Sequence, residues 1–201
     1  KSTNVGVGAA VALNVGAATT MAVVVDEADV STQGLTISAT GVSGEKSDSS
    51  AEAKSGAGAG NVGVAGSLAI NSATNTTVAL LEGNTDGDAA VAQVDANGGA
   101  VLIEALNATT SSAKVSADVK GTGGSAKVGV GASIGVNVGV NTTVAEVGDQ
   151  TRLTDAGSVG LNATAEHAMT TEVTGGAAGA KVSVTPVVAA TIAVNTTTAR
   201  L

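Results

Sequence analysis

The stretch KVGVGASIGVNVGVNTTVA, Lys127–Ala145, decides the fold. Val128, Val130, Ala132, Ile134, Val136, Val138 and Val140 share one parity, and Gly129, Gly131, Ser133, Gly135, Asn137, Gly139 and Asn141 share the other. A period of two puts the two sets on opposite faces of an extended strand, whereas a helix repeats its faces near 3.6 residues. Glycine costs entropy in a strand and packs nothing there. A whole face of Gly, Ser and Asn therefore implies one of two things: another backbone approaches it closely, or it is flat and exposed.

The same stretch recurs three more times. It reads NVGVGAAVALNVGAATTMA from Asn4, NVGVAGSLAINSATNTTVA from Asn61 and KVSVTPVVAATIAVNTTTA from Lys181. The starts are 57, 66 and 54 residues apart, and a Thr-Thr pair follows each at a constant interval, at Thr19, Thr76, Thr142 and Thr196. The repeat units are 4–60, 61–126, 127–180 and a partial 181–201. A second half follows in each full unit: a short strand, a Gly-bearing turn and a further strand, as in Ala28–Thr40, Ala89–Thr109 and Gln150–Glu166. A second alternation there runs Val159, Leu161, Ala163, Ala165. Gly/Ala-rich joints close the units at Gly56–Gly60, Gly121–Ala126 and Gly175–Ala180, and Gly44–Gly60 reads as the mobile part.

Self-similarity at a fixed long period is the signature of a solenoid. Parallel strands stacked in register set each Val above another Val and each Thr pair above another. No repeat covers its apolar face alone, so stacking is expected to make a continuous core with near-neighbour contacts only. The expected fold is all-β, a parallel β-solenoid of 54–66-residue repeats. Two windings fit the spacing. One wide coil per repeat gives a slab about 17–20 Å deep, and two or three short coils per repeat give a rod of about 45–50 Å. The unbroken alternation from Val128 to Val140 favours wide coils with long strands.

Composition agrees. The chain has no Phe, Trp, Tyr or Cys, one Pro, one His and 28 Gly, yet 43% of it is hydrophobic. An interior without aromatics suits a thin core between close sheets. Mean hydropathy of +0.34 sets the chain apart from disordered sequences. The net charge of −8 argues against nucleic-acid binding. Without Cys there are no disulfides or thiolate metal sites, a composition compatible with export. No apolar run reaches the roughly 18 residues of a membrane span.

The pattern VGVGA.(V/I)..NV..NTT.A, followed by a strand, a DAGSVGLNAT-like turn and a Gly/Ala joint, resembles repeats of very large bacterial exoproteins. These are the filamentous-haemagglutinin-like adhesins and related giant surface proteins. The resemblance covers nearly the whole chain, with a motif specific for an architecture rather than for one protein. It implies a right-handed parallel β-helix, an extracellular or cell-surface location, and a stalk or adhesive role without catalytic residues. The chain departs from that pattern in its long unit and its lack of aromatics.

Few constellations suggest chemistry. His167 stands beside Glu166 and Met169, near an expected strand end, with no nucleophile and carboxylate arranged around it. Asp86 and Asp88, in NTDGD, are the best-placed calcium candidates, although neither complete calcium-loop pattern is present. No other cofactor is expected. Gly129, Gly131 and Gly135 lie in strand alternation, which excludes a dinucleotide fingerprint. Asn-x-Thr sequons start at Asn75, Asn107, Asn141, Asn162 and Asn195. Three of them, Asn75, Asn141 and Asn195, hold one place in successive repeats, where either hydrogen-bonded ladders or glycans fit. Adjacent threonines point to opposite faces, so the Thr pairs offer only one Thr per repeat to any ice-binding array.

The expected function is a structural fibre or stalk segment of a bacterial surface adhesin. The alternative is a filament subunit growing head-to-tail through exposed solenoid edges. Expected partners are flanking repeats, further copies, or a host or neighbouring-cell surface.

Overall fold

The computed structural model describes residues 4–41, 46–83, 91–121, 127–177 and 181–201. Among these, the chain forms twelve strands and no helix: β1 (Val5–Val24), β2 (Asp29–Ser31), β3 (Leu35–Thr40), β4 (Ser47–Ala59), β5 (Val62–Leu81), β6 (Gln93–Asp95), β7 (Ala100–Gly121), β8 (Val128–Val147), β9 (Arg152–Thr154), β10 (Ser158–Ala177), β11 (Val182–Val184) and β12 (Val187–Arg200). Every pairing is parallel.

Each repeat makes one wide coil. A 20-residue strand runs out, a three-residue strand turns the corner, and a long strand returns. Stacking the coils makes three sheets: β1-β5-β8 with β11 and β12, the corner sheet β2-β6-β9, and the return sheet of β3 and β4, β7 and β10. The register is that of the sequence repeat. Asn71 pairs with Asn137, Asn75 with Asn141, and Thr76-Thr77 with Thr142-Thr143. With strands about 4.8 Å apart, four stacked strands make a slab about 19 Å deep, and a 20-residue strand is about 66 Å long.

The outward and return sheets face each other, and the gap between them is a wedge. At the end where β1 starts, backbones nearly touch. A Cβ on Gly8 would lie 2.0 Å from the Gly56 carbonyl oxygen, and one on Gly131 would lie 2.3 Å from that of Gly176. Real side chains essentially never approach so closely, so only glycine fits either place. The next inner residues are alanines with Val115 and Val119. At the corner end the sheets part around Ile37, Leu81, Val94, Val101, Ile103 and Val147. The corner is tight: Gly34 turns with φ +100 and Gly98 with φ +78, in the left-handed region that glycine enters without penalty.

The wedge decides which face goes inside. The inner residues of β5 are Gly63, Ala65, Ser67, Ala69, Asn71, Ala73, Asn75, Thr77, Ala79 and Leu81. The valine rows, expected to stack into the core, lie outside instead. On β1, Val7 is 75% and Val11 74% exposed. Sheets this close have room between them only for small or axially bonded side chains. The return sheet follows the ordinary rule, with Val101, Ile103, Val115 and Val119 inside. Gly44–Gly60 also departs from expectation. Residues 42–45 lie outside the described part, but Ser47–Ala59 is the strand β4, paired with β7 from Thr109 to Gly121. Pro186 brings no N–H to the ladder and falls at its break, between β11, which ends opposite Val130, and β12, which resumes in the same register opposite Ser133. Its carbonyl accepts from the Ser133 N–H at 3.0 Å.

Candidate functional site

A side-chain amide inside the wedge meets the same amide of the next coil along the stacking axis. The strand spacing near 4.8 Å suits one amide–amide hydrogen bond per step. Asn14 Nδ2 donates to Asn71 Oδ1 at 2.7 Å, and Asn71 Nδ2 donates to Asn137 Oδ1 at 3.0 Å. Both Asn71 and Asn137 are 0% exposed. The return sheet satisfies their remaining groups. Ser49 Oγ donates to Asn71 Oδ1 at 2.8 Å and Ser111 Oγ to Asn137 Oδ1 at 2.6 Å. Asn137 Nδ2 donates to the carbonyls of Ser111 and Thr170, at 3.0 and 3.1 Å.

A second ladder lies four residues on. Asn75 Nδ2 donates to Asn141 Oδ1 at 3.0 Å, and Asn141 Nδ2 to Asn195 Oδ1 at 2.8 Å. These are three of the sequon asparagines. Asn75, Asn107 and Asn141 are buried between the sheets, which closes them to glycan transfer in the folded chain. Asn162 is exposed and leans on Glu104. The ladder Asn14–Asn71–Asn137 was not singled out from the sequence. The same repeat equivalence marks it, although none of its asparagines begins a sequon.

His167 lies in mid-strand on the inner face of β10, not at a strand end. Its Nδ1 is 2.8 Å from Thr109 Oγ1, and burial pushes its pKa down. Its Nε2 is buried without a hydrogen-bond partner among the described residues, as are Asn107 Nδ2 and Thr143 Oγ1. The carboxylate next in sequence, Glu166, points to the other face. There it bonds Lys46, which holds it below the usual carboxylate range. The histidine and its neighbouring acid are thus not brought together.

Asp86 and Asp88 lie outside the described residues. Among those described, no three His, Cys, Asp or Glu side chains group as metal ligands, and no helix is long and apolar enough to cross a membrane. Asp29 belongs to β2, and Asp149 and Asp155 to the corners flanking β9. The Thr pairs divide as the alternation requires: Thr77 and Thr143 are buried, while Thr76 and Thr142 face outward.

The two outer faces are chemically opposite. The return sheet shows mixed charge, with ion pairs Lys54–Glu52, Lys114–Glu172 and Lys120–Asp118. The outward sheet shows rows of Val, Leu and Ile. The charged pair on its outer face is Arg200–Glu146, at the corner end. Compared with known proteins, the chain matches no family model, no curated protein and no solved structure.

Proposed function

We propose that this chain is a structural segment of an extracellular bacterial fibre or adhesin, a scaffold without catalysis. One observation carries the reading. Coils of unequal length keep residue-for-residue register over 20 positions, from Val62–Val128 to Leu81–Val147, with amides bonded from coil to coil inside. The two asparagine ladders of the interior bond coil to coil, which is what a stacked scaffold requires. The resemblance of its repeat motif to those of giant surface proteins supplies the location and the adhesive role.

The test is modular insertion. A second copy of residues 61–126 is placed in frame after residue 126. A scaffold accepts it: the chain stays folded, and its denaturant m-value rises with the added buried surface. An unfolded product would refute modularity. Display on a bacterial surface through an outer-membrane anchor then tests adhesion, and attachment no greater than that of the anchor alone removes adhesion from the reading.

A second reading, head-to-tail filament growth, is favoured by the outermost strands. Among the described residues, the outer edges of β1 and β12 are unpaired, and open parallel edges template further strands. Negative-stain microscopy over a concentration series separates the readings: long uniform fibres support growth and isolated particles oppose it.

A further inference from the structure

Monomers rarely expose contiguous apolar patches beyond about 300–600 Å². From the row of Val62 to the row of Ser72, the outer face of the outward sheet carries no charged side chain in any of its four stacked strands. Eleven residues of strand by four strands is about 36 Å by 19 Å, or roughly 690 Å².

We propose that this face docks against the same face of a second copy of the chain. The relief of the face is self-complementary. Ala9, Gly66 and Ala132 stack into a groove along the solenoid axis, and a Cβ on Gly66 would meet nothing within 4 Å. The next outward row, Val11, Leu68 and Ile134, stacks into a ridge beside it, and both rows line the same dimple. A two-fold axis lying in the interface between groove and ridge, along the stacking direction, seats each copy's ridge in the other's groove. The same operation sets the row of Val64 against that of Ile70, and the row of Val62 against that of Ser72. These rows are apolar apart from Ser72 itself.

The area fits this occupant. Two such faces bury roughly 1,400 Å² together, within the range of stable specific interfaces. Charge fits as well. The chain carries a net −8, but two copies meeting here bring no charged side chain into the contact. An isologous contact of this kind closes at two copies, unlike edge-to-edge growth, which runs on. The pairing stands or falls independently of the fibre reading.

The test is sedimentation equilibrium of the full chain from about 1 to about 100 µM, the span in which an interface of this class shows itself. The expected species is a dimer of the 18.8 kDa chain. Gly66→Leu fills the groove, and Ile134→Lys places an unpaired charge on the ridge. Each leaves the monomer's interior untouched and is expected to weaken pairing by roughly 100-fold or more. Thr110→Lys, on the outer face of the return sheet, is expected to leave pairing unchanged. Circular dichroism confirms that all three variants are folded. A wild-type chain that stays monomeric throughout overturns the proposal, and flotation with phosphatidylcholine vesicles would then identify lipid as the face's partner. Open-ended growth that Gly66→Leu and Ile134→Lys leave unaltered also overturns it, because association then runs through strand edges.

Discussion

Replacing Asn71 by Ala isolates the contribution of the interior ladder. The amide donates both its hydrogens and accepts twice, and all of these hydrogen bonds end with it. The two hydrogens of its Nδ2 are shared among Ser111 Oγ, the Ser49 carbonyl and Asn137 Oδ1, at 2.8, 3.1 and 3.0 Å. Its Oδ1 accepts from Asn14 Nδ2 and Ser49 Oγ, at 2.7 and 2.8 Å. Two neighbours keep a partner: Asn14 Nδ2 still reaches Ser49 Oγ, and Asn137 Oδ1 still accepts from Ser111 Oγ. At a net value of about 1 kcal/mol per bond, with partial re-satisfaction offset by the void left behind, the cost is roughly 3–5 kcal/mol. Guanidinium unfolding at constant m-value measures it. The exposed Asn162→Ala serves as control and is expected to stay within about 0.5 kcal/mol of wild type. Asn137→Ala combined with Asn71→Ala should show a coupling of about 1–2 kcal/mol, as for residues sharing one network. A cost below about 1 kcal/mol for Asn71→Ala, with no coupling, would refute the view that bonded amides bind coil to coil.

Three further outcomes follow from the geometry. Gly131→Ala sets a methyl against the Gly176 carbonyl and should destabilise by roughly 1–3 kcal/mol, the range for overpacked interiors, while Gly66→Ala should be neutral or slightly stabilising; melting of the two variants compares them. His167 has its folded pKa below the ordinary 6.5, so the unfolded chain takes up the proton first. Its contribution to stability is therefore full above pH 6.5 and lost as pH falls from there to the folded pKa. The difference in urea midpoint between wild type and His167→Gln, followed downward from pH 7.5, should change in that window, and a flat difference would exclude the buried neutral ring. Deleting the β-branched side chain at Val136 in Val136→Ala, on the outer face, should cost less than Val101→Ala inside the return sheet; reversed values would mean that the valine rows are the core after all.

Coil architecture was legible in the sequence because it rests on spacing. The intervals between Asn4, Asn61, Lys127 and Lys181 are the register offsets of the outward sheet, and the alternation in Lys127–Ala145 is a 20-residue strand. The inward face was not legible from polarity. Transfer free energy alone buries Val128 and Val136 and exposes Gly131 and Asn137, and the molecule does the reverse. The deciding quantity is the distance between sheets, which depends on Gly56 and Gly176, more than 40 residues away in sequence. The glycine face did carry the clue: of its two readings, close backbone approach and a flat exposed face, the first is the one seen at Gly8 and Gly131. Equivalence of Asn75, Asn141 and Asn195 marked one ladder, and the same comparison of Asn14, Asn71 and Asn137 marks the other.

The length of the strands gives the molecule a direction of strength. The ladder hydrogen bonds between stacked strands lie along the stacking axis, while Val5 and Arg200 are separated mainly along the strands, by about 59 Å against about 14 Å across the layers. A load carried between those residues strains the long ladders in shear, so many bonds must fail together. A load that lifts one edge strand away breaks the same bonds one after another, at far lower force. Such a slab resists being dragged sideways and yields to being peeled.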